Sequence, residues 1–125
     1  MDLSLMKKYV DGFIIPLPKK NRAAYLAMEK LAGKVWIDHG ALEYVECIAD
    51  NAPKGKVTSF PQSVKLKAGE TVIFSYIVYK SKTHRERVNK KVMNDPRLAA
   101  MMNPDAMPFD GMRMIYGGFS SIVSL

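Results

Sequence analysis

A chain of 125 residues with 48% hydrophobic and 25% charged side chains is long enough for one domain with its own core, and its composition excludes a disordered tail or a fibrous repeat. Nineteen basic residues against twelve acidic ones leave a net charge of +7, which keeps nucleic acid in view as a partner. The single cysteine, Cys47, excludes an internal disulfide and a cysteine-built zinc cluster and fits a reducing cytoplasm, and no apolar run approaches the length of a membrane span.

Residues 1–8 read as a flexible leader without the apolar stretch of a signal peptide, and residues 9–125 as one domain. Tyr9 to Ile15 has the apolar and aromatic density of a strand, ended by Pro16 and Pro18, which cannot donate to a central ladder. Tyr25, Met28, Leu31, Ala32, Val35, Trp36 and His39 recur at helical spacing, with Asn21 as a candidate N-cap and Gly40 as the stop. A second strand is expected over Ala41 to Ala49, a turn-rich loop over Asp50 to Gly55, and a short extended piece over Val57 to Leu66. Thr71 to Tyr79 carries the strongest strand signal in the chain. Ser81 or Thr83 then caps a second helix with the stripe His84, Val88 and Val92. Asp95-Pro96 ends that helix and opens a short one through Met102. After a loop over Asn103 to Gly111, Arg113 to Phe119 forms the last strand.

The order β-α-β-β-α-β is the ferredoxin-like pattern: an α+β fold with an antiparallel four-stranded sheet. Two helices cover one face of such a sheet. Yet the first and third strands are apolar at nearly every position, interrupted only by Asp11 and Ser75, and continuous apolar runs mark burial on both faces. A second copy of the chain, packed sheet to sheet, is the expected cover.

The segments Tyr9-Val10-Asp11-Gly12-Phe13, Val45-Glu46-Cys47, Phe74-Ser75, Asp95-Pro96-Arg97, Met107-Pro108-Phe109-Asp110-Gly111 and Arg113-Met114-Ile115-Tyr116-Gly117-Gly118-Phe119 together resemble the YbaA-like bacterial proteins, a domain of unknown function. The resemblance implies a homodimeric α/β barrel related to the ferredoxin-like fold and implies no reaction. Its wider superfamily includes cofactor-free monooxygenases, haem-degrading enzymes and muconolactone-isomerase-like proteins, which points to a pocket between the sheet and its helices. Haem-degrading members place an axial histidine where His84 stands, but pair it with an Asn on the first strand and a Trp on a strand. This chain has Asp11 and a helical Trp36 instead, so no cofactor is expected.

Asp11, Glu46 and Arg113 are charges set inside apolar strand patterns, and an unpaired buried charge is expensive. Convergence with Tyr76 and Tyr116 would join a carboxylate base, a phenolic donor and an anion-binding guanidinium in a cavity for a small oxyanion-bearing or aromatic molecule. Trp36 and His39, three residues apart on one helix, supply an aromatic wall and a candidate base or hydrogen-bond donor. The structural readings are ion pairs for the strand charges and a helix-terminal partner for His39. Cys47 reads as a small buried hydrophobe, the nine methionines as packing, and the basic residues from Lys80 to Lys91 as a solvated helix face. The alternative is an RNA-binding module on that basic helix, for which the strands lack the glycine-framed aromatic motif.

Overall fold

In the computed structural model, which describes residues 7–125, four strands pair in one antiparallel sheet. They are β1 (Tyr9–Pro18), β2 (Glu43–Ile48), β3 (Glu70–Tyr79) and β4 (Ile115–Ser120), in the order β2-β3-β1-β4. The helices are α1 (Arg22–Asp38), α2 (Phe60–Ser63), α3 (Lys82–Met93) and α4 (Pro96–Met101). This mixed α/β architecture fits the split β-α-β pattern read from the sequence. Lys8, assigned to the leader, donates its N–H to Ser121 Oγ and accepts from Ser121 N–H, while residues 1–6 of that leader lie outside the described residues.

Alternation assigns the faces. Ile15, Leu17, Ile73, Ile77 and Tyr79 point toward α1 and α3, where they bury with Tyr25, Val35, Val88 and Val92 in two adjoining clusters. The opposite face carries Ile14, Phe74, Ile115 and Phe119, with Phe74, Ile115 and Phe119 all exposed in the single chain. Phe60 of α2 packs edge-on against Phe74 there.

Local chemistry explains the element ends, and in three places corrects the sequence reading. α1 stops as expected at Gly40, whose φ of 109° suits glycine; Ala41 N–H donates to Trp36 and Gly40 N–H to Ile37, the paired closure that a left-handed residue allows. Ser81, rather than Thr83, caps α3 by accepting from His84 N–H. Asp95 caps α4. Asn21, however, does not cap α1; its amide donates to the Pro108 carbonyl at 2.8 Å and fastens the loop before β4 to the helix. The piece expected to be extended contains α2 instead, because Ser59 accepts from Gln62 N–H and Pro61 is favoured in a first helical turn.

The third correction concerns β1, which runs through Pro16 and Pro18. Val72, opposite Pro16, gives its carbonyl to Ala49 beyond β2, so Pro16 sits at a position that bonds away from β3. On that side the pairing with β4 has already ended, at Ile14 opposite Ile115. Neither proline therefore removes a bond from the ladder.

The Gly117-Gly118 pair is also explained within the chain. A Cβ on Gly118 would stand 2.1 Å from the Tyr9 hydroxyl, and one on Gly117 would stand 3.4 Å from the Phe119 ring. Two aromatic side chains, Tyr9 of β1 and Phe119 of β4, thus approach this part of β4 closely.

Candidate functional site

Between the helices and the sheet lies a cavity of about 370 Å³. Phe13, Ile15, Ser75 and Ile77 form its floor, because alternation turns these positions of β1 and β3 toward α1. Ala32 and Trp36 of α1 form a wall, and Met28, Met93, Met101, Met102, Met107 and Met114 supply much of the rest. Six of the nine methionines thus surround one space. An unbranched thioether side chain adapts its shape to whatever it contacts. Tyr116 stacks on Phe13 at 6.3 Å and closes the β4 side.

One end of the cavity is acidic. Glu29 on α1 and Glu46 on β2 both line it, and each accepts from a tyrosine: Tyr25 donates to Glu46 at 2.7 Å, and Tyr44 donates to Glu29. Burial, then the neighbouring Glu29, pushes the Glu46 carboxyl up to about 8, so it keeps its proton at neutral pH. Burial and the charges of Glu29 and Glu46 push both tyrosines far above the usual phenol range, and they remain neutral donors.

At the other end, Asp11 is 5% exposed and pairs with Arg85 Nε at 3.0 Å. Its second oxygen, Oδ1, is buried with no hydrogen-bond partner among the described residues. Beside it, Asn89 accepts from Trp36 Nε1 at 3.1 Å and from the Tyr79 hydroxyl at 3.2 Å. The register sets Asp11 opposite Ile77 and Ser75 opposite Glu46, so the two ends lie two strands apart and one pleat along, roughly 12 Å between backbones.

Of the residues expected to converge, Asp11, Trp36, Glu46 and Tyr116 do so. Tyr76 borders the space between Ser75 and Ile77, but its ring lies on the opposite face against Phe74. His39 is not in the cavity: it ends α1 and binds Asp95 Oδ2 through Nε2 at 2.8 Å, beside the basic residues Arg87, Lys90 and Lys91 of α3. Arg113 is absent too, because it precedes β4. Its guanidinium grips Glu70 at 2.5 Å and Asp110 at 2.9 Å and reaches the carbonyls of Val64 and Lys65. That clamp holds the Glu70 carboxyl below its usual range. His84 faces Tyr79 and accepts from Lys80 N–H rather than entering the cavity, which removes the geometric basis of the haem reading. Cys47, expected to be buried, is exposed opposite Phe74. Among the described residues, no group of three or more His, Cys, Asp and Glu side chains could hold a metal ion.

Residues 8–111 match the family described as a protein of unknown function, DUF1428. The chain belongs to that family. The DUF1428 assignment is reinforced by 47% identity over 116 residues to the uncharacterized protein YbaA of Escherichia coli K12, covering 93% of this chain and 97% of the relative. A protein of the same name from Shigella flexneri matches equally. Among solved structures, the de novo designed protein Foldit4 aligns over 93% of this chain and 98% of its own, at 9% identity and a TM-score of 0.41. A crystal structure of AtUAH in complex with glyoxylate aligns over 76% of this chain and 23% of its own, at 10% identity and a TM-score of 0.31.

Sequence reasoning about this DUF1428 chain missed Glu29, Tyr44, Arg85 and Asn89. Glu29 had a usable signal, lying four residues after Tyr25, three before Ala32 and seven before Trp36 on the inward face of α1. Arg85 and Asn89 share an i, i+4 relation on α3, but a basic helix gives no hint of which positions turn inward.

Proposed function

We propose that this protein binds a small, largely apolar molecule in the cavity between its sheet and its helices. The carrying observation is a 370 Å³ space with an apolar floor, a methionine-rich wall and polar groups confined to two ends, which is the usual make-up of a ligand site. The Glu46 carboxyl with its Tyr25 partner suits a carbonyl or hydroxyl oxygen at one end of the ligand. The unpartnered Asp11 Oδ1 suits a donor at the other.

In this reading the domain is ferredoxin-like and forms one half of a cytoplasmic homodimeric α/β barrel, with the exposed Phe74, Ile115 and Phe119 covered by a second copy. Their exposure on one sheet face supports that arrangement. For an RNA-binding use of the sheet itself, β3 from Glu70 to Tyr79 carries no basic side chain to accompany its aromatics.

Trp36 is the sole tryptophan and lines the cavity, so its emission reports occupancy directly. Titration with a panel of mono- and bicyclic ketones, phenols and aromatic acids is expected to give saturable changes in that emission together with a rise in Tm. Ser75→Leu, which fills the floor, is expected to abolish both. A panel that leaves emission and Tm unchanged, or a response that survives Ser75→Leu, overturns the reading.

A further inference from the structure

We infer that the Glu29–Glu46 pair is a cofactor-independent proton-transfer site, acting on enolisable ketones with an apolar body and a hydrogen-bond donor at the far end. This rests on the cavity reading above. The geometry supplies both halves of the chemistry. Glu29 and Glu46 project into the same end of the cavity from α1 and β2, and each is held by its own tyrosine, Tyr44 and Tyr25. Two carboxyl groups at such close quarters cannot both ionise cheaply in an apolar surrounding, so the pair retains one proton and presents an acid beside a base. Burial in the cavity favours the neutral form of the Glu46 carboxyl, which with its Tyr25 hydrogen bond gives it the acid role.

An independent observation at the other end also points to a ligand. Asp11 Oδ1 is buried and unpartnered among the described residues, although the carboxylate belongs to a residue only 5% exposed. A buried acceptor of this kind costs free energy unless a donor reaches it. Arg85 is already engaged with Oδ2, and Asn89 turns its oxygen to Trp36 and Tyr79. A ligand hydroxyl or N–H at this end satisfies Oδ1 and sets the opposite end of the molecule against Glu29 and Glu46.

The step balances without an oxidant or a metal. Glu29 takes the proton from the carbon next to the carbonyl; the C–H electron pair becomes the C=C of the enol, and the carbonyl π pair takes the proton of Glu46. Glu29 leaves protonated and Glu46 ionised, so the pair keeps one proton throughout. Reversal returns a proton to the same carbon, giving exchange with solvent, or to a conjugated carbon, giving an isomer. The methionines and the Phe13 ring give the acid and the base an apolar surrounding on the cavity side.

The test uses 6-hydroxy-2-tetralone in buffered D₂O, with binding read by Trp36 emission and α-proton loss read by NMR. The wild type is expected to bind the probe and to exchange its α-protons faster than buffer alone. Glu29→Gln and Glu46→Gln are expected to bind it still and to lose the enzymatic exchange by roughly 100-fold or more, the usual contribution of positioned acid–base groups. A probe that binds wild type yet exchanges only at the buffer rate overturns the proton-transfer inference and leaves the cavity reading standing. So does exchange that persists undiminished in both variants. A probe that fails to bind up to its solubility limit overturns the inference, and the ligand panel described above then decides the cavity reading by itself.

Discussion

The Tyr25 hydroxyl donates to Glu46 Oε2 across 21 residues of sequence, joining the first turn of α1 to the middle of β2. The bond ties a helix to an edge strand at a half-buried carboxyl group. Its consequence is a pH-dependent term in stability. The folded-state pKa of Glu46 is about 8 against an ordinary 4.5, so the folded chain holds a proton that the unfolded chain releases. Stability from this source is complete below about pH 4.5 and is lost as the pH rises toward about 8. Glu29, Tyr25 and Tyr44 face the group from α1 and β2, while Asp11 and Arg85 are the other charged residues lining the cavity. Glu46→Gln stays neutral throughout. Its stability relative to wild type is expected to improve by about 1–3 kcal/mol between pH 5 and pH 9, after allowance for partial exposure. Urea melts at the two pH values measure this, and an unchanged difference refutes it.

Gly33 on α1 sits against Tyr44, where an added Cβ would lie 2.7 Å from the ring. Alanine gains up to about 1 kcal/mol in helix propensity, but crowding in a packed interior costs about 1–3 kcal/mol. Tyr44 must move, and with it the hydrogen bond to Glu29. Gly33→Ala is therefore expected to lower Tm and to shift Trp36 emission, since Trp36 packs on Tyr44 at 5.9 Å. A higher Tm would show that the ring yields without cost.

Arg113 is a structural clamp rather than a ligand group. Arg113→Ala leaves the Glu70 carboxylate, only 8% exposed at its side chain, without its partner. Tm is expected to fall by several degrees at pH 7, and by less as acid protonates the Glu70 carboxylate. Ligand binding read by Trp36 is expected to change only as far as the loop from Met107 to Met114 shifts. Loss of binding with Tm preserved would restore Arg113 to the site.

If a second copy covers the open sheet face, light scattering after size-exclusion gives about 28 kDa, twice the 14.0 kDa chain. Phe74→Asp with Ile115→Lys is then expected to give a folded species near 14 kDa. A wild-type monomer refutes the sheet-to-sheet arrangement.

Much of the fold was legible because its signals are periodic: the apolar run from Val72 to Tyr79, the stripe on α1, and the cap residues Ser81 and Asp95. Misreadings fell where a single bond outweighs pattern. Asn21 found the Pro108 carbonyl in place of its own helix, and Ser59 with Pro61 started a turn of helix inside an extended-looking stretch. At the site, Asp11 and Glu46 were visible as charges in apolar strands. His39 shares the helical spacing of Trp36 but falls at the C-cap, where the backbone leaves the helical path, and so it faces Asp95 instead. Glu29 was legible only through its spacing from Tyr25, Ala32 and Trp36, a signal that its charge obscured.

The prolines of β1 reach further than their own strand. Without an N–H at Pro16 or Pro18, β1 has no donor to offer a partner on that side beyond Ile14, and β4 begins only at Ile115. The preceding chain is thereby released from the sheet. Clamped by Arg113 at one end and by Asn21 at the other, it arches over α1 and delivers Met107, Phe109 and Met114 to the rim of the cavity. Two residues that lack a hydrogen-bond donor thus help to give this chain a mouth to its pocket in place of a longer fourth strand.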